Sequence, residues 1–459
     1  MFKVGDIVDL EITSVGSAGE GVGKVDGFAV FVARALPGEK IKARLTLVKK
    51  SYATGKLLEI NQKSPHRQRP VCEVFYKCGG CQLQHLDYPG QLKVKEQQVR
   101  DALERIGKFS DVQIFPVLAD KQPLNYRNKM QCPVASQDGL KLGFYEVGSH
   151  KVVDVRECHI QNQVNNTILT VVRDWIRKFR ISVYNEQTGK GLVRHVLGRV
   201  SSATGEVMAG IVCTQKSMPH KEELIEMLKL SIPNITSVVQ NINSRRTNVI
   251  LGDITKVLYG KESIADKIGE FTFQIAAKSF FQVNTKQAEV LYKTALDYAQ
   301  LTGEEQVVDL YCGIGTISLF LAKQAKKVWG IEIVDVAVED AKINAKANGI
   351  ENVEFFKADV NLALEKISKK TRLDVVVLDP PRAGCDKALL DTIVNSKPKR
   401  VVYVSCNPAT LARDLRILVD SGLYELVKVQ PVDMFGQTSH VETCVLLSHK
   451  NPQTSPPSL

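Results

Sequence analysis

From residue 284 onward, helix-like and strand-like segments alternate along the chain. The first four are TKQAEVLYKTALDYA, VVDLYCGIG, TISLFLAKQA and VWGIEIV. Apolar strands that alternate with helices form parallel sheets whose two faces are covered by those helices. The pattern therefore predicts a doubly wound α/β sheet, in which ligands bind outside the carboxyl ends of the strands.

Three successive strands of this region end in groups that suit a nucleoside cofactor. The first runs into a tight turn with Gly313 and Gly315, where the backbone can approach a ligand closely. The next two end in Glu332 and Asp359, and a carboxylate at such a place can bind ribose hydroxyls. A plain structural sheet and an NAD-binding domain are the alternatives, but the latter usually has a third glycine where this chain has Ser318. The turn favours S-adenosylmethionine.

Two more strand ends carry residues for chemistry on a planar base. The strand DVVVLDPPR places an acid-Pro-Pro turn at Asp379, and proline stiffens a loop that must hold a base. The buried strand VVYVSCNP delivers Cys406 at its end, and Glu442 enters the otherwise apolar strand VETCVLL. Taken singly, a strand-end thiol can be purely structural, and a carboxylate can be a surface charge on an edge strand.

A cysteine combined with a carboxylate suits methylation at C5 of a pyrimidine. Uracil C5 is a poor nucleophile until a thiolate adds to C6 and converts the ring into an enolate. A base must afterwards remove the C5 proton so that the cysteine can leave. An enzyme that methylates an amino group needs neither residue, so Cys406 and Glu442 together favour C5 chemistry.

The rest of the chain has other sequence patterns. Residues 1–60 contain short alternating runs between Gly-rich and Pro-Gly turns, which predicts a small β-barrel. Residues 90–108 have helical spacing, with Leu92, Val99, Leu103 and Ile106 on one stripe. Strand-like runs and one helical segment near residue 225 follow, which indicates an α+β region. The tail NPQTSPPSL has no core-forming residues and is predicted to be loose.

A cysteine cluster follows the barrel region. Cys72, Cys78 and Cys81 lie within ten residues, and the CGGC segment permits a tight turn. The chain has 10 cysteines and no export signal, so metal binding explains the cluster better than disulfides do. Cys158 is chosen as the fourth ligand in preference to Cys132. Four thiolates suit either zinc or an iron–sulfur cluster.

The charge and hydropathy of the chain limit its partners. Its 459 residues carry a formal net charge of +11, which fits RNA or DNA, although a basic enzyme indifferent to RNA is the alternative. No apolar run reaches the roughly 18 residues of a membrane helix. The opening MFKVGDIVDLEI contains acids and lacks the apolar core of a signal peptide. We therefore expect a cytoplasmic protein without a membrane partner.

The motifs DPPRAG, YVSCNPATLARDL and VDMFGQTSHVE resemble those of the RNA uracil-5-methyltransferases in order and spacing. The resemblance implies that Cys406 is the nucleophile and Glu442 the base. The S-adenosylmethionine site that it implies is lined by Gln282, Tyr311, Thr316, Glu332, Asp359 and Asp379. The family motif usually has proline where this chain has Gly436; the change leaves the loop freer and retains Gln437 and His440.

Residues 1–60 resemble a TRAM domain, which is an OB-like RNA-binding barrel. With the cysteine pattern, this barrel makes the chain similar to the ribosomal RNA branch of the family, whereas the transfer-RNA branch generally lacks both features. The resemblance implies a 23S rRNA (uracil-C5)-methyltransferase. We expect it to be a monomer. It also implies a [4Fe-4S] cluster whose ligands are Cys72, Cys78, Cys81 and Cys158.

The expected fold is multidomain, with an N-terminal OB-like β-barrel at residues 1–60. An α+β central domain with the metal cluster takes residues 61–92 and 123–270. A C-terminal α/β Rossmann-like methyltransferase domain takes residues 93–122 and 271–459, a discontinuity that only the resemblance implies. Two other functions stay open: the same chemistry on transfer RNA, and RNA binding without catalysis.

Overall fold

The computed structural model describes residues 2–450, so the predicted loose tail NPQTSPPSL lies outside the described residues. The chain forms two compact units, and the boundary within its C-terminal half falls inside a helix. Their ranges are Met1–Pro70, Gln82–Lys121 and Val290–Leu459 for the first unit, and Val71–Cys81 and Gln122–Glu289 for the second. The domain ranges derived from the sequence remain a prediction.

The first unit begins with a closed five-stranded barrel of strand order β1-β2-β3-β5-β4. Its strands are β1 (Ile7–Val15), β2 (Gly21–Val25), β3 (Phe28–Ala33), β4 (Lys40–Val48) and β5 (Tyr52–Gln62). Alternate apolar residues of β1 and β4, such as Leu10, Ile12 and Ile41, fill the interior. The predicted barrel is confirmed.

Helix α1 (Tyr88–Arg105) follows the barrel in the first unit. The side chain of Asp87 caps its N-terminus by accepting a hydrogen bond from the Gly90 N–H. Val99 and Leu103 are buried in the core of the C-terminal sheet, as the spacing predicts. Ile106 was placed on the same stripe, but it lies beyond the last helical residue and is 48% exposed.

The second unit contains a seven-stranded sheet of order β12-β11-β10-β9-β6-β7-β8 and the hairpin β13–β14. Its strands are β6 (Lys129–Ala135), β7 (Lys141–Tyr145), β8 (Val152–Asp154), β9 (Val193–Val200), β10 (Val207–Cys213), β11 (Ile235–Ile242), β12 (Ile254–Gly260), β13 (Ser263–Ile268) and β14 (Phe271–Ala276). Its helices are α2 (Gln163–Lys178) and α3 (Lys221–Ser231). Helix α3 matches the predicted helical segment, whereas the sequence pattern did not indicate α2.

The C-terminal sheet of the first unit has seven strands in the order β17-β16-β15-β18-β19-β21-β20. They are β15 (Gln306–Leu310), β16 (Lys327–Glu332), β17 (Val353–Lys357), β18 (Val375–Leu378), β19 (Arg400–Ser405), β20 (Tyr424–Val432) and β21 (Glu442–His449). The helices of this region are α4 (Thr285–Ala299), α5 (Thr316–Ala322), α6 (Asp335–Ala347), α7 (Val360–Ser368), α8 (Lys387–Ser396) and α9 (Pro408–Asp420). The predicted α/β sheet with covering helices is confirmed.

The direction of these strands decides where the side chains meet. Strands β15 to β19 are parallel, and β21 runs antiparallel to β19. The first residue of β21 therefore lies at the same edge of the sheet as the last residues of β18 and β19. No helix in residues 2–450 combines the length and the apolar character that crossing a membrane requires.

Candidate functional site

The two residues predicted for chemistry lie at neighbouring strand ends of the first unit. Cys406 directly follows β19, and Glu442 is the first residue of β21. Ser405 pairs with Thr443 in the register of these two strands, so Cys406 and Glu442 come next in line at that edge. Asp379 directly follows β18, which pairs with β19 on its other side.

These side chains share one electrostatic environment. Burial, and then the charge of Asp379, raises the pKa of Glu442 to about 8. Burial raises the pKa of Asp379 to about 7. Burial, and then the carboxylates of Glu442 and Asp379, raises the pKa of the Cys406 thiol to about 11, and the Arg382 guanidinium opposes that rise. The site thus holds a thiol, two carboxyl groups and one cation within electrostatic reach of each other, and Glu442 is a stronger base than an exposed glutamate.

The DPPR turn is fastened to the N-terminus of α9. The Gly384 N–H donates to the Pro381 carbonyl at 2.8 Å, which closes the turn. The Arg382 carbonyl accepts from Asn407 Nδ2 at 3.1 Å and from Thr410 Oγ1 at 3.2 Å. Because Asn407 is the residue after Cys406, these bonds tie the turn to the strand end that carries the thiol.

A buried carboxylate on α9 supports the same turn. Asp414 Oδ2 accepts from the Cys385 N–H at 2.8 Å and from the Tyr403 hydroxyl at 2.7 Å, and Arg413 Nε donates to Oδ1 at 2.8 Å. Gly384 has φ +78°, and a Cβ there would lie 2.5 Å from Asp414 Oδ2. Only glycine lets the turn approach this carboxylate.

The predicted cofactor turn follows β15. Tyr311 and Gly313 both have left-handed backbone conformations, with φ of 64° and 56°. A Cβ built on Gly313 would meet no atom within 4 Å, so the turn borders open space, whereas at Gly315 it would lie 2.8 Å from the Phe355 ring. Thr316 begins α5, and its hydroxyl donates to the Tyr292 hydroxyl at 3.3 Å.

The two acids that end the next strands are held by backbone N–H groups. Glu332 accepts from Gly313 at 3.2 Å and from Ile333 and Val334 at 2.8 Å each. Asp359 caps α7 by accepting from two N–H groups of its first turn. Fixed carboxylates beside an open glycine turn fit the ribose of S-adenosylmethionine. Of the six residues predicted for the cofactor, five lie in the first unit and Gln282 belongs to the second. The roles of all six stay predictions.

The sequence reasoning missed a buried acid beneath this turn. Asp309 Oδ2 accepts from the Ser318 hydroxyl at 2.5 Å, and burial, with Asp379 and Glu332 adding to it, raises its pKa to about 7. Within residues 2–450 its Oδ1 atom has no hydrogen-bond partner. The signal was an acid in the apolar strand VVDLY, six residues before the turn ends at Gly315. Ser318, which replaces the third glycine of an NAD motif, serves here as the partner of this acid.

The four predicted metal ligands belong to the second unit. Burial raises the pKa of Cys158 to about 11, and charges on Cys78 and Cys72 add to that rise, so these three thiols lie near one another. The Gly80 N–H donates to Cys78 Sγ at 3.4 Å. In the described part of the chain, however, no group of three or more His, Cys, Asp or Glu side chains is placed to hold a metal ion. The predicted cluster is not confirmed.

Cys132, the rejected fourth ligand, lies in the apolar core of the second unit. Its Sγ donates to the Gly143 carbonyl at 3.0 Å. Complete burial raises the pKa of this thiol strongly. A thiol in such surroundings behaves as a small apolar side chain.

Comparison with known proteins gives two family matches and several close relatives. A family described as tRNA (uracil-5-)-methyltransferase matches residues 222–450, and the TRAM domain matches residues 2–58. An uncharacterized RNA methyltransferase of Halalkalibacterium halodurans is 50% identical over 97% of this chain and 98% of its own length. One of Clostridium acetobutylicum is 50% identical over 96% of each chain.

A solved structure extends the comparison to three dimensions. The Pyrococcus abyssi tRNA (uracil-54, C5)-methyltransferase, in complex with S-adenosyl-L-homocysteine, superposes with a TM-score of 0.77 at 29% identity. The match covers 96% of this chain and 100% of that one. With its barrel, its parallel sheet and its strand-end motifs, the chain belongs to the S-adenosylmethionine-dependent RNA uracil-5-methyltransferase family that carries an N-terminal TRAM domain.

Proposed function

We propose that the protein methylates C5 of a uridine in folded RNA, with Cys406 as nucleophile and Glu442 as base. The observation that carries the proposal is the position of both residues at adjoining strand ends, with Asp379 and Arg382 beside them. A cysteine and a carboxylate at one ligand-binding edge are the two groups that C5 chemistry requires.

The reaction starts with the Cys406 thiolate, which adds to C6 of the uracil ring and leaves an enolate with nucleophilic character at C5. The positive charge of Arg382 favours the thiolate over the thiol. Tyr311, Thr316, Glu332, Asp359 and Asp379 of the first unit would hold S-adenosylmethionine, and Gln282 is proposed as a further cofactor residue. The bound cofactor would supply the methyl group to C5, with its methyl–sulfur bond breaking and S-adenosylhomocysteine leaving.

The second half of the reaction belongs to Glu442. Its carboxylate takes the proton from C5, the C5–C6 double bond forms again, and the Cys406–C6 bond breaks to release the thiolate. The raised pKa of Glu442 makes its carboxylate, once ionised, a stronger proton acceptor than an exposed glutamate. A uridine stacked in a helix cannot reach both groups, so the target must lie in a loop or flip out of the helix.

The substrate that we propose is 23S ribosomal RNA. The support is the C-x5-C-x2-C pattern of the cysteines, which resembles the ribosomal branch of the family. The barrel does not distinguish the two substrates, because the superposing Pyrococcus abyssi protein covers 96% of this chain. Transfer RNA is the second candidate, because the superposing Pyrococcus abyssi protein is a tRNA (uracil-54, C5)-methyltransferase. A non-catalytic RNA-binding protein is disfavoured by the presence of both Cys406 and Glu442.

Mapping 5-methyluridine distinguishes these substrates. Ribosomal and transfer RNA from cells without the protein are compared with the same RNAs after the gene is restored. Loss of one or more ribosomal sites supports the proposal, and loss of a transfer-RNA site selects the second candidate. Unchanged 5-methyluridine in both RNAs would contradict the enzymatic function.

The nucleophile is tested by Cys406→Ala. The variant should lose methyl transfer and keep RNA binding within a few-fold, because the covalent step is lost and the contacts remain. Wild type should form a denaturation-resistant adduct with RNA that carries 5-fluorouridine at the target. Cys213→Ala, which removes a buried thiol of β10, is the control. Turnover by Cys406→Ala above about a hundredth of the wild-type rate would disprove the assignment.

We also propose that Cys72, Cys78, Cys81 and Cys158 hold a [4Fe-4S] cluster. The ligand spacing and the nearness of three of the thiols support it. Methyl transfer moves no net electrons, so the cluster would stabilise the second unit and take no part in the reaction. Anaerobically purified protein should contain about four iron and four sulfide per chain. Cys158→Ser should lose the iron and Cys132→Ala should keep it; one zinc and no iron would refute the cluster.

A monomeric state and a cytoplasmic location also remain predictions.

A further inference from the structure

The loop of residues 433–441 joins β20 to β21 and ends at Glu442, so its conformation sets where β21 begins. His440, in this loop, lies with Nε2 at 3.4 Å from a guanidinium nitrogen of Arg382. Gln437 has φ +71°, a left-handed conformation that is strained for any residue except glycine. The preceding Gly436 adds backbone freedom. A loop of this kind keeps one conformation only when its surroundings hold it.

Helix α1 supplies the first of these holding contacts through a buried ion pair. Lys95 Nζ lies 2.5 Å from Asp433 Oδ1, and both side chains are 0% exposed. The same ammonium donates to the Phe435 carbonyl at 3.0 Å, and the Tyr88 hydroxyl donates to the other Asp433 oxygen at 2.7 Å. Lys95 therefore binds a side chain and a backbone carbonyl of the loop.

A second contact lies one turn earlier on the same helix. Gln91 Nε2 donates to Gln437 Oε1 at 3.0 Å, and Gln437 N–H donates to Gln91 Oε1 at 3.0 Å. The pair is buried and reciprocal, and it holds the one loop residue, apart from glycine, with positive φ. Helix α1 thus fixes the start and the middle of the loop with side chains that face the protein interior.

Stability alone gives little reason for an ion pair at this place. The cost of removing two charges from water commonly cancels their attraction, and apolar replacements of similar volume are often equally stable. What an ion pair and a reciprocal amide pair supply is direction, because each accepts only a narrow range of geometries. This points to a role in setting the conformation of the loop.

We propose that Lys95 and Gln91 are positioning residues for the base: helix α1 holds the 433–441 loop so that Glu442 is aligned with the C5 proton of the bound uridine. The inference rests on the proposed function. Cys406 lies between the end of β19 and the start of α9, outside this loop, so addition at C6 does not depend on the α1 contacts. Loosening the loop should therefore slow proton removal and leave the earlier steps nearly intact.

The test compares two rates in variants that keep the fold. Lys95→Met/Asp433→Leu replaces the ion pair by apolar side chains. Gln91→Met removes the amide pair without a change of charge, together with the Gln91 hydrogen bonds to the Leu83 and Leu86 carbonyls. Lys93→Met, an exposed lysine of the same helix, is the matched control. Adduct formation on 5-fluorouridine RNA needs the thiol and the methyl donor but no proton removal, whereas turnover on ordinary RNA needs all steps.

For the double variant and for Gln91→Met we expect at least a tenfold loss of turnover, while the rate of the 5-fluorouridine adduct stays within about threefold. A covalent complex with ordinary uridine RNA should accumulate and resist denaturation. Lys93→Met should match wild type in both rates. If the double variant does not fold, Gln91→Met carries the comparison alone.

Two results would overturn the inference while the proposed function survives. One is turnover within threefold of wild type; the other is a parallel fall of both rates, which indicates general structural damage. If wild type itself forms no 5-fluorouridine adduct, the proposed nucleophile fails and the inference fails with it. Adduct formation by the wild-type protein, measured beside the variants on a denaturing gel, distinguishes these cases.

Discussion

Glu442 is 5% exposed and has a negatively charged neighbour, conditions under which a carboxylate is retained only where its chemistry is needed. Gln at this position has nearly the same shape and cannot accept a proton. Glu442→Gln should therefore allow addition of Cys406 and methylation of C5, and then stop.

The measurement for this variant is gel analysis under denaturing conditions with RNA that contains ordinary uridine. A shifted band that carries both the enzyme and the methylated RNA is the expected product. Loss of activity without any shifted band would contradict a role as base and assign Glu442 to binding or folding.

The pH dependence of the reaction should reflect the same surroundings. Both reacting groups act as anions, yet burial and neighbouring carboxylates raise the pKa of Glu442 to about 8 and that of Cys406 to about 11. The reactive forms therefore become more abundant as the pH rises. We expect kcat/KM to increase between about pH 6 and pH 9. A profile that is flat or falls over that interval would show that the ionisations of these two groups do not limit the free enzyme.

Helix α9 covers the sheet and also supports the DPPR turn through its buried Asp414. Asp414→Ala should remove the acceptor for the Cys385 N–H and the Tyr403 hydroxyl, both buried, and destabilise the protein by about 2–4 kcal/mol. Activity should fall as well, because the DPPR turn loses its support. Chemical denaturation and turnover are the measurements.

Two further variants serve as comparisons for the loss of stability in Asp414→Ala. Tyr403→Phe removes one of the donors and should cost about 1 kcal/mol. Asp420→Ala, an exposed acid of the same helix whose partner is Arg416, should change stability by less than about 0.5 kcal/mol. If Asp414→Ala is no less stable than Asp420→Ala, the carboxylate does not support the turn.

The strands also show which parts of the site could be predicted from the sequence. Glu332, Asp379 and Cys406 could be placed at one edge because alternating strands and helices imply parallel strands, whose carboxyl ends coincide. The alternation could not reveal that β21 lies antiparallel between β19 and β20, since antiparallel and parallel core strands have similar apolar runs.

The sequence pattern predicts neither helix α2 nor the buried contacts of α1, and the two reasons differ. Helix α2 begins with QVNNTILTVV, rich in Asn, Thr and Val, residues that lower helix propensity, yet Ile168, Val172 and Trp175 pack in the core of the second unit. Lys95 lies in the polar run KVKEQQ and has the pattern of a solvated residue. Its partner Asp433 is far away in the chain, and only tertiary structure brings the two together.

At the scale of the whole molecule, the barrel and the C-terminal sheet belong to one unit. Val15 and Leu36 of the barrel region form one apolar cluster with Leu83, Leu86 and Val94. In addition, the Ser439 hydroxyl donates to the Ser17 carbonyl at 2.8 Å, so a turn of the barrel contacts the 433–441 loop.

Removal of residues 1–60 should therefore do more than weaken RNA binding. It exposes Leu83, Leu86 and Val94, whose burial is worth roughly 1.5–3 kcal/mol each at most, so the midpoint of denaturation should fall clearly. Ser439→Ala, which breaks one hydrogen bond to the barrel, should cost only about 1 kcal/mol. A truncated protein as stable as the full chain, with an unaltered dissociation constant for RNA, would show that the barrel is an independent appendage.

The ion pair between Lys95 and Asp433 has a consequence for synthesis, because 338 residues separate its partners. At about 5–20 residues per second, a ribosome needs roughly 20–70 seconds to travel from one codon to the other. Throughout that interval α1 exists without the strands that cover Val99 and Leu103 and without the carboxylate that neutralises Lys95. The residues of the second unit emerge in the meantime and can fold first, while Val99 and Leu103 stay uncovered until the final strands leave the exit tunnel.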